Sequence, residues 1–295
     1  MESILTLVAP PGRELDPSII EIASTALALG GARLIQSPET FAAGRAADVG
    51  WKGDPWSDDV ASAIRLALGE KPVDFAIQPA EQRRKRLLIA DMDSTIVMSE
   101  TLDEMATEAG VGQRVAEITA RAMNGEIDFP SALRERVRLL AGMDAGILEK
   151  TYLGTVISPG AEVLVQSMAA GGAECRLVSG GFKFFTSRIA TRLGFHGDQA
   201  NDLAIHDGKI TGEVIEPILD GSAKVAALEA AMAKLRIGPE RVLTVGDGSN
   251  DIPMLRAAGL GVAWRSKPVV KAQTRARVDY GDLSTLLIFQ RMDPA

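Results

Sequence analysis

Residues 87–95 read Leu87-Leu88-Ile89-Ala90-Asp91-Met92-Asp93-Ser94-Thr95. The first four are small or apolar, which is typical of a strand buried on both faces of a parallel sheet. The strand ends at two acids spaced i and i+2, Asp91 and Asp93, and two hydroxyl residues follow. A single Asp here would favour a simple turn, but open α/β sheets bind ligands beyond the carboxyl ends of their strands. The stretch therefore leaves two interpretations, a turn or part of a functional site.

The chain after this strand has the pattern of an α/β domain. Further buried strands are predicted at residues 175–178, 242–245 and 259–264, and helical patterns separate them. Such alternation favours a mostly parallel, Rossmann-like sheet with right-handed crossovers. Residues 98–154 are instead rich in helical patterns alone. Their place directly after the first strand favours a helical cap that acts as a lid, with an ordinary helical subdomain as the alternative.

Residues 1–78 show a different order of elements. Helices are predicted to begin at Asp16-Pro17 and near Ser57, and strands are predicted at residues 3–9, 32–35, 46–51 and 73–77. The resulting order, βαββαβ, is that of a ferredoxin-like domain. We find no acid cluster, nucleophile or phosphate-binding loop in this part of the sequence. It is therefore interpreted as a regulatory or assembly domain.

A polar segment, residues 79–86, is predicted to link this domain to a catalytic domain at residues 87–295. It contains the only basic cluster of the chain, Arg83-Arg84-Lys85-Arg86. The cluster is short, so we interpret it as a solvated surface of the linker rather than as a binding patch.

Composition narrows the class of protein. The 295 residues include 46% hydrophobic and 24% charged residues, with a net charge of −7, which argues against nucleic acid as the main partner. Cys175 is the only cysteine, so no disulfide can form within the chain, and its apolar surroundings predict a packing role. No secretory signal and no apolar run of about 18 residues is present, so we expect a cytoplasmic protein without a membrane partner.

Polar residues follow three of the predicted strands and start one predicted helix: Asp91 and Asp93; Ser179 with Gly180; Asp247, Asn250 and Asp251; and Lys224. The carboxyl ends of parallel strands share one sheet edge, so these groups are expected to converge. Crowded carboxylates repel one another unless a cation lies between them, and an all-oxygen set suits Mg²⁺. Lys224 adds a second positive charge, and backbone N–H groups at Gly180 and Gly181 could hold an anionic oxygen. The combination predicts a phosphoryl-binding site.

The paired acids suggest how such a site would react. An Asp carboxylate can attack phosphorus and form an aspartyl-phosphate, and a second acid nearby suits general acid/base work. The sequence has no Walker A motif, so it does not support nucleotide-driven kinase chemistry of that kind.

At these positions the sequence resembles the haloacid dehalogenase superfamily of phosphohydrolases. The four superfamily motifs are matched by residues 91–95, Ser179-Gly180, Lys224 and residues 246–251. Within the superfamily, the predicted cap is similar to that of the phosphoserine phosphatases at Glu100, Met123, Phe129 and Arg136. The resemblance covers about residues 87–280.

The resemblance implies hydrolysis of O-phospho-L-serine to L-serine and phosphate. Asp91 would attack phosphorus, and Asp93 would protonate the leaving oxygen and then activate water. Mg²⁺ would be held by the Asp91 carboxylate, the Asp93 backbone carbonyl and Asp247, while Asp251 would orient its water ligands.

The resemblance also implies how the substrate binds. Glu100 would contact the amino group and Arg136 the carboxylate, with Met123 and Phe129 nearby. The alternative for Arg136 is a solvated helix face, because Arg134 and Arg138 are close in sequence. The phosphate would contact Ser179, Gly180, Lys224 and Asn250.

The N-terminal domain is similar to modules of the ACT type, which share the βαββαβ order. Its first turn, residues 9–13, is only loosely like the glycine-bearing effector loop of that family. Effector binding and homodimer formation therefore remain alternative roles.

Two alternative functions stay open from the sequence. A related phosphatase or phosphotransferase of the same fold could act on another small phosphomonoester, because a fold does not determine its substrate. A phospho-acceptor signalling module could use Asp91 as its receiver site, although a lid and an acid/base residue favour turnover.

Overall fold

The computed structural model describes residues 2–54 and 58–292, and for Asp58 and Met123 it describes the backbone alone. The N-terminal elements are β1 (Glu2–Val8), α1 (Pro17–Leu29), β2 (Arg33–Leu34), β3 (Glu39–Phe41), β4 (Ala46–Lys52), α2 (Asp58–Leu68) and β5 (Asp74–Pro79). This is the expected order with one additional short strand, β3. Helix α1 begins where the sequence predicts, because the Asp16 carboxylate accepts a hydrogen bond from the Ser18 N–H (2.9 Å) and Pro17 occupies the first helical turn. The predicted start of α2 at Ser57 lies outside the described residues.

The remaining elements form the C-terminal part of the molecule. Four helices follow its first strand: β6 (Leu87–Ala90), α3 (Thr101–Glu108), α4 (Gly112–Met123), α5 (Phe129–Arg138) and α6 (Gly146–Gly154). Alternating elements come next: α7 (Ala161–Ala170), β7 (Glu174–Phe182), α8 (Lys183–Leu193), β8 (Gly197–His206), β9 (Lys209–Ile215), α9 (Gly221–Leu235) and β10 (Val242–Gly246). The chain ends with α10 (Ile252–Ala257), β11 (Leu260–Trp264), α11 (Pro268–Lys271), β12 (Ala276–Val278) and α12 (Thr285–Phe289).

The C-terminal sheet places β6 at its centre. The strand order runs β12-β11-β10-β6-β7-β8-β9, and every pair from β12 to β8 is parallel. All four residues of β6 are buried, as expected for a strand covered by helices on both faces. The carboxyl ends of β6, β7 and β10 therefore meet at one edge. This is an α/β fold with a mixed sheet, since β9 runs antiparallel to β8.

The N-terminal and C-terminal sheets are continuous. Strand β5 pairs antiparallel with β12 through Phe75 and Arg277, which joins β2-β4-β1-β5 to the rest of the sheet. The buried Asp74 carboxylate strengthens this junction by accepting hydrogen bonds from the N–H groups of Asp279 (2.8 Å) and Gly281 (2.6 Å). The sequence did not predict this connection, because β12 has only three residues and lacks a clear apolar pattern.

The prediction that the basic cluster is a solvated surface of the linker is wrong for Arg83 and Lys85. Arg83 forms an ion pair with Asp48 of β4 (2.7 Å), and its side chain is only 11% exposed. Lys85 is buried, and its Nζ donates hydrogen bonds to the carbonyls of Gln82 (3.1 Å) and Glu240 (3.0 Å). Burial lowers the pKa of Lys85 to about 8. Only Arg84 and Arg86 of the cluster are exposed. The segment runs between two packed units, and its side chains donate hydrogen bonds to buried acceptors of those units. The acceptors are far away in sequence, so the local sequence does not reveal them.

Cys175 is buried as a free thiol, in agreement with the predicted packing role. No helix in the described ranges, 2–54 and 58–292, combines the length and apolar character needed to cross a bilayer.

Candidate active site

The chain turns sharply where β6 ends. Asp91 is extended, and the turn formed by Met92–Ile96 holds Ser94 at a φ of 54°, in the left-handed region that few residues other than glycine adopt. This turn brings Asp91, Asp93 and Thr95 to the carboxyl edge of the sheet within five residues. Strain of this kind is typical of functional sites.

Lys224 is the central cation of this edge. Its side chain is almost fully buried, and its Nζ contacts Oδ1 of Asp91 (2.7 Å) and Oδ1 of Asp251 (2.6 Å). The first turn of α9 places it there, and the Asp220 carboxylate caps that helix by accepting from the Ser222 N–H (2.8 Å). Burial acts to lower the pKa of Lys224, but the two carboxylates outweigh it and raise the pKa above its usual value. The ammonium therefore stays charged.

Three carboxylates surround this lysine. Asp91, Asp247 and Asp251 each have an oxygen atom within 4.8 Å of the others. Burial is the main cause that raises the pKa of Asp91 well above its usual range and the pKa of Asp247 to about 6. The negative charge of Asp251 adds to both shifts. Because three carboxylates lie close together beside one lysine, the ionised acids carry more negative charge than Lys224 alone neutralises. The oxygen donors and the excess charge fit a divalent cation.

Asp93 and Asp251, two of the predicted metal-site residues, have contacts that differ from those of Asp91 and Asp247. The side chain of Asp93 is not part of the three-carboxylate cluster, and the family resemblance assigned only its backbone carbonyl to the metal. Asp251 is fully buried, and its Oδ2 accepts a hydrogen bond from the Gly248 N–H (3.0 Å), which holds the loop after β10 in place.

Thr95 is a residue of this cluster that the sequence reasoning did not assign to the site. Its hydroxyl donates to Oδ1 of Asp247 (2.9 Å) across 152 positions of the chain, so it fixes the orientation of that carboxylate. Its place in the first motif, two residues after Asp93, was the available signal.

Asp93 has an environment that differs from that of Asp91. Its Oδ1 accepts a hydrogen bond from the Thr101 N–H (3.1 Å) at the start of α3. Burial, with a contribution from the charge of Glu100, raises the pKa of Asp93 to about 7. A carboxyl group with this pKa can both donate and accept a proton near neutral pH.

The bulged segment Ser179–Gly181, near the end of β7, packs closely against Asp93 and the helical segment. A Cβ atom on Gly181 would lie 2.6 Å from Oδ2 of Asp93, and one on Gly180 would lie 2.9 Å from the ring of Phe129. A larger residue at either position would displace the side chain of Asp93 or Phe129, so glycine keeps both side chains where they are. The Gly181 N–H donates to the buried Ser179 hydroxyl (2.9 Å), and its expected role toward a ligand stays a prediction. The loop still offers the Gly180 N–H and the Ser179 hydroxyl hydrogen.

The helices between β6 and β7 bring three predicted substrate residues to this site. Phe129 of α5 lies against Gly180. Arg136, on the same helix, is half-buried, and within the described part of the chain it forms no ion pair, while its Nε donates to the Ala132 carbonyl (3.3 Å). The charges of Asp103, Glu100 and Asp93 act on its guanidinium. Glu100 is exposed and accepts a hydrogen bond from the Ser94 hydroxyl (2.7 Å).

Two further predicted residues receive less support from the geometry. Asn250 lies exposed in the turn Ser249–Asp251, beside the start of α9. The side chain of Met123 lies outside the part of the structure that is described.

The part of the chain that contains these residues is similar to known proteins. A model of the family described as haloacid dehalogenase-like hydrolase matches residues 88–256. The chain is 43% identical over 215 residues to a phosphoserine phosphatase of Archaeoglobus fulgidus, covering 72% of the chain and 62% of that relative. It is 42% identical over 199 residues to a phosphoserine phosphatase of Streptococcus thermophilus, covering 68% of the chain and 93% of that relative. The chain thus spans less than two thirds of the first relative and nearly all of the second.

Two solved structures are similar in fold. A HAD family hydrolase from Salmonella enterica subsp. enterica serovar Typhi aligns with a TM-score of 0.84 at 27% identity, over 97% of this chain and 98% of that one. A phospho-aspartyl intermediate analogue of phosphoserine phosphatase aligns with a TM-score of 0.65 at 37% identity, over 70% of this chain and 99% of that one. The two relatives named above are phosphoserine phosphatases, and the chain belongs to the haloacid dehalogenase-like hydrolases.

Proposed function

We propose that this protein hydrolyses O-phospho-L-serine to L-serine and phosphate through an aspartyl-phosphate on Asp91. The observation that carries the proposal is the contact of Asp91 with the buried Lys224 beside two further carboxylates, at the edge where β6 and β10 end. The names of the relatives support phosphoserine as the substrate.

The first step is attack of an Asp91 oxygen on phosphorus. The contacts with Lys224 and with the Met92 N–H (2.8 Å) both use Oδ1, which leaves Oδ2 available to attack. As the new O–P bond forms, the bond from phosphorus to the seryl oxygen breaks. Asp93 gives its proton to that oxygen, and L-serine leaves with its hydroxyl group restored.

The second step releases phosphate. Asp93, now a carboxylate, takes a proton from a water molecule as the water oxygen attacks phosphorus. The bond between Asp91 and phosphorus breaks, and the original carboxylate is regenerated. A pKa near 7 suits Asp93 for both directions of proton transfer, since neither form is strongly favoured at neutral pH.

Charge on the phosphoryl oxygens is stabilised by fixed donors. The Lys224 ammonium, the Ser179 hydroxyl and the Gly180 N–H are held in place before the substrate arrives, and preorganised donors of this kind supply most of the catalysis in phosphoryl transfer. We assign a Mg²⁺ site to Asp91, Asp247 and the Asp93 backbone carbonyl, with Asp251 beside it. When bound there, Mg²⁺ neutralises charge on the acids and on the phosphoryl group.

Substrate selection is assigned to the helical segment between β6 and β7, which we interpret as a cap. Arg136, which has no ion pair among the described residues, would bind the substrate carboxylate in a bidentate manner. Glu100 would bind the ammonium group. Phe129 closes the site over Gly180, and Met123 and Asn250 are assigned to the substrate and phosphate sides respectively.

The N-terminal segment, residues 1–78, is proposed to be an ACT-like domain. Its element order supports this assignment, and its continuous sheet with the catalytic part supports a fixed position. A homodimer through this domain and a cytoplasmic role in the last step of serine synthesis complete the proposal.

The test is a phosphate-release assay with Mg²⁺ on O-phospho-L-serine, O-phospho-L-threonine and a set of sugar phosphates. Preference for phosphoserine supports the proposal. Faster turnover of a sugar phosphate would favour another phosphomonoesterase of the same fold. Stoichiometric labelling of the protein without release of phosphate would favour a receiver module.

A further inference from the structure

Asn201 links the two loops that carry the phosphate-binding groups. Its side chain is 1% exposed and lies in β8, outside the set of residues assigned to the reaction above. Its Nδ2 donates to the Gly180 carbonyl (2.8 Å) and to the Leu219 carbonyl (3.1 Å), and its Oδ1 accepts from the Leu219 N–H (2.6 Å). One buried amide therefore satisfies three backbone groups in two different loops.

The first loop needs this support because the sheet is interrupted there. The pairing of β7 with β8 passes from Val178 opposite Gln199 directly to Phe182 opposite Asn201, so Ser179–Gly181 bulges out of the ladder. The Gly180 carbonyl then has no ladder partner from β8, and Asn201 provides the donor. This hydrogen bond fixes the plane of the peptide that follows Gly180, and with it the loop that presents the Ser179 hydroxyl.

The second loop leads to Lys224. Leu219 is held by Asn201 through both its N–H and its carbonyl, and the next residue, Asp220, caps α9. Lys224 lies in the first turn of that helix. A shift of Leu219 would therefore move the start of α9 and the ammonium group that it carries.

We propose that Asn201 is a positioning residue that sets the distance between the Ser179–Gly180 donors and Lys224 around the phosphoryl group. It does not touch the substrate; it acts through the backbone of two loops. The proposal rests on the proposed phosphatase function. It assigns to Asn201 an effect on the chemical step and on phosphate binding, and no effect on the contacts that Glu100 and Arg136 make with the rest of the substrate.

Two variants separate this role from a general loss of packing. Asn201→Asp keeps the acceptor for the Leu219 N–H and removes both donors, and Asn201→Ala removes all three hydrogen bonds without adding charge. Gln78→Glu is the matched control. Gln78 lies in β5, in the N-terminal part of the sheet, and is also a buried amide (1% exposed). Its Nε2 donates a hydrogen bond to the backbone carbonyl of Phe289 (2.8 Å). Asn201→Ser, which keeps one hydroxyl donor, serves if the other two do not fold.

The experiment measures kcat and KM for phosphoserine, the inhibition constant of inorganic phosphate, and the melting temperature, all with Mg²⁺ present. We expect kcat of the Asn201 variants to fall about 10-fold or more and phosphate inhibition to weaken, since small displacements of catalytic groups have effects of this size. We expect KM to change less than about 3-fold. Gln78→Glu should lower the melting temperature by a similar amount and keep the wild-type kcat.

Three results would overturn the proposal. Asn201 variants that keep the wild-type kcat and phosphate inhibition would show that the amide only stabilises the fold. The same conclusion would follow if Gln78→Glu lost as much kcat as they do. A rise in KM with unchanged kcat would show that Asn201 affects substrate binding and not the chemical step, which contradicts the proposal. Absence of phosphoserine turnover by the wild-type protein would instead overturn the proposed function, and phosphate affinity measured by calorimetry would then test Asn201 separately.

Discussion

The site has two sides that are built in different ways. On the side of the sheet, Asp91, Lys224 and Asp251 are buried and bonded to one another. On the side of the helical segment, Glu100 is exposed and Arg136 is half-buried, and neither forms an ion pair with another residue that the structure describes. On the first side, positive and negative side chains thus pair with one another within the protein. On the second side, Glu100 and Arg136 are not in ion pairs with other described residues.

The difference reflects what each side has to bind. A phosphoryl group changes its charge distribution during the reaction, so the groups around it must be fixed in advance, and burial with mutual pairing fixes them. The ammonium and carboxylate of an amino acid keep their charges throughout. Residues that bind them need only be free when the substrate arrives, which is why an unpaired Arg136 is the more useful arrangement there.

Asp91→Asn is expected to have the largest effect. It removes the nucleophile from the buried side, so kcat should fall by about 10⁴-fold or more, and no covalent phosphate should be trapped by acid quenching with labelled phosphoserine. Asp16→Asn is the control, because Asn can also cap α1, and it should keep full activity. Covalent label on the Asp91→Asn protein would point to another nucleophile.

Lys224→Met should have the next largest effect. It removes the fixed cation beside the phosphoryl group, and kcat should fall by about 10²- to 10³-fold. It also leaves Asp91 and Asp251 without their buried partner, so denaturant unfolding should show a loss of about 3–5 kcal/mol. Lys234→Met, on the exposed face of the same helix, should change neither quantity strongly. Equal effects of the two substitutions would remove Lys224 from the phosphate site.

Arg136→Ala tests the other side of the site. Loss of a charged hydrogen bond is worth about 1.5–3 kcal/mol, so kcat/KM for phosphoserine should fall about 10- to 100-fold. Turnover of phosphoethanolamine, which has no carboxylate, should change less than about 3-fold because the buried side is intact. Arg138→Ala, exposed on the same helix, is the matched control. A similar loss with both substrates would show that Arg136 does not read the carboxylate.

The last prediction concerns stability instead of activity, and it centres on Asp93. Burial raises the pKa of Asp93 to about 7, above its value of 3.8 in an unfolded chain. The folded protein therefore binds more protons between these values, and the free energy of unfolding, measured in a chelator, should fall as pH rises from about 4 to about 7. Asp247, with its pKa raised to about 6, contributes in the same direction.

Asp93→Asn should make this pH dependence shallower, because the substituted side chain does not titrate. Denaturant unfolding at several pH values measures the slope for both proteins. An unchanged slope in the variant would assign the titration to the remaining acids and would leave Asp93 without its raised pKa.

Most of the chemistry-bearing groups were identifiable from the sequence because they follow strands. A buried apolar run such as Leu87–Ala90 predicts its own strand, and polar residues directly after it must lie at the sheet edge. The helices were also well predicted where a cap residue marks their start, as Asp16 does for α1. The roles of Glu100 and Arg136 came from resemblance, since spacing alone left Arg136 among three similar arginines.

Other features could not be predicted because they depend on partners far away in sequence. Thr95 orients Asp247 across 152 positions, Asn201 joins loops that begin in different strands, and Arg83 is buried against Asp48. In each case a local window shows an ordinary polar residue. The three-residue β12 is recognisable as a strand only because β11 and β5 supply hydrogen bonds on its two sides.

The sequence by itself determined the longer helices and strands and the residues that stand at their ends, because hydrophobic periodicity and helix caps are local properties of the chain. Only the tertiary structure decided how those ends are spaced, which carboxylates share Lys224, and how the N-terminal sheet joins the catalytic one. The reason is physical: burial, pairing of charges and hydrogen bonds between distant strands arise when the chain packs, and no short segment contains both partners.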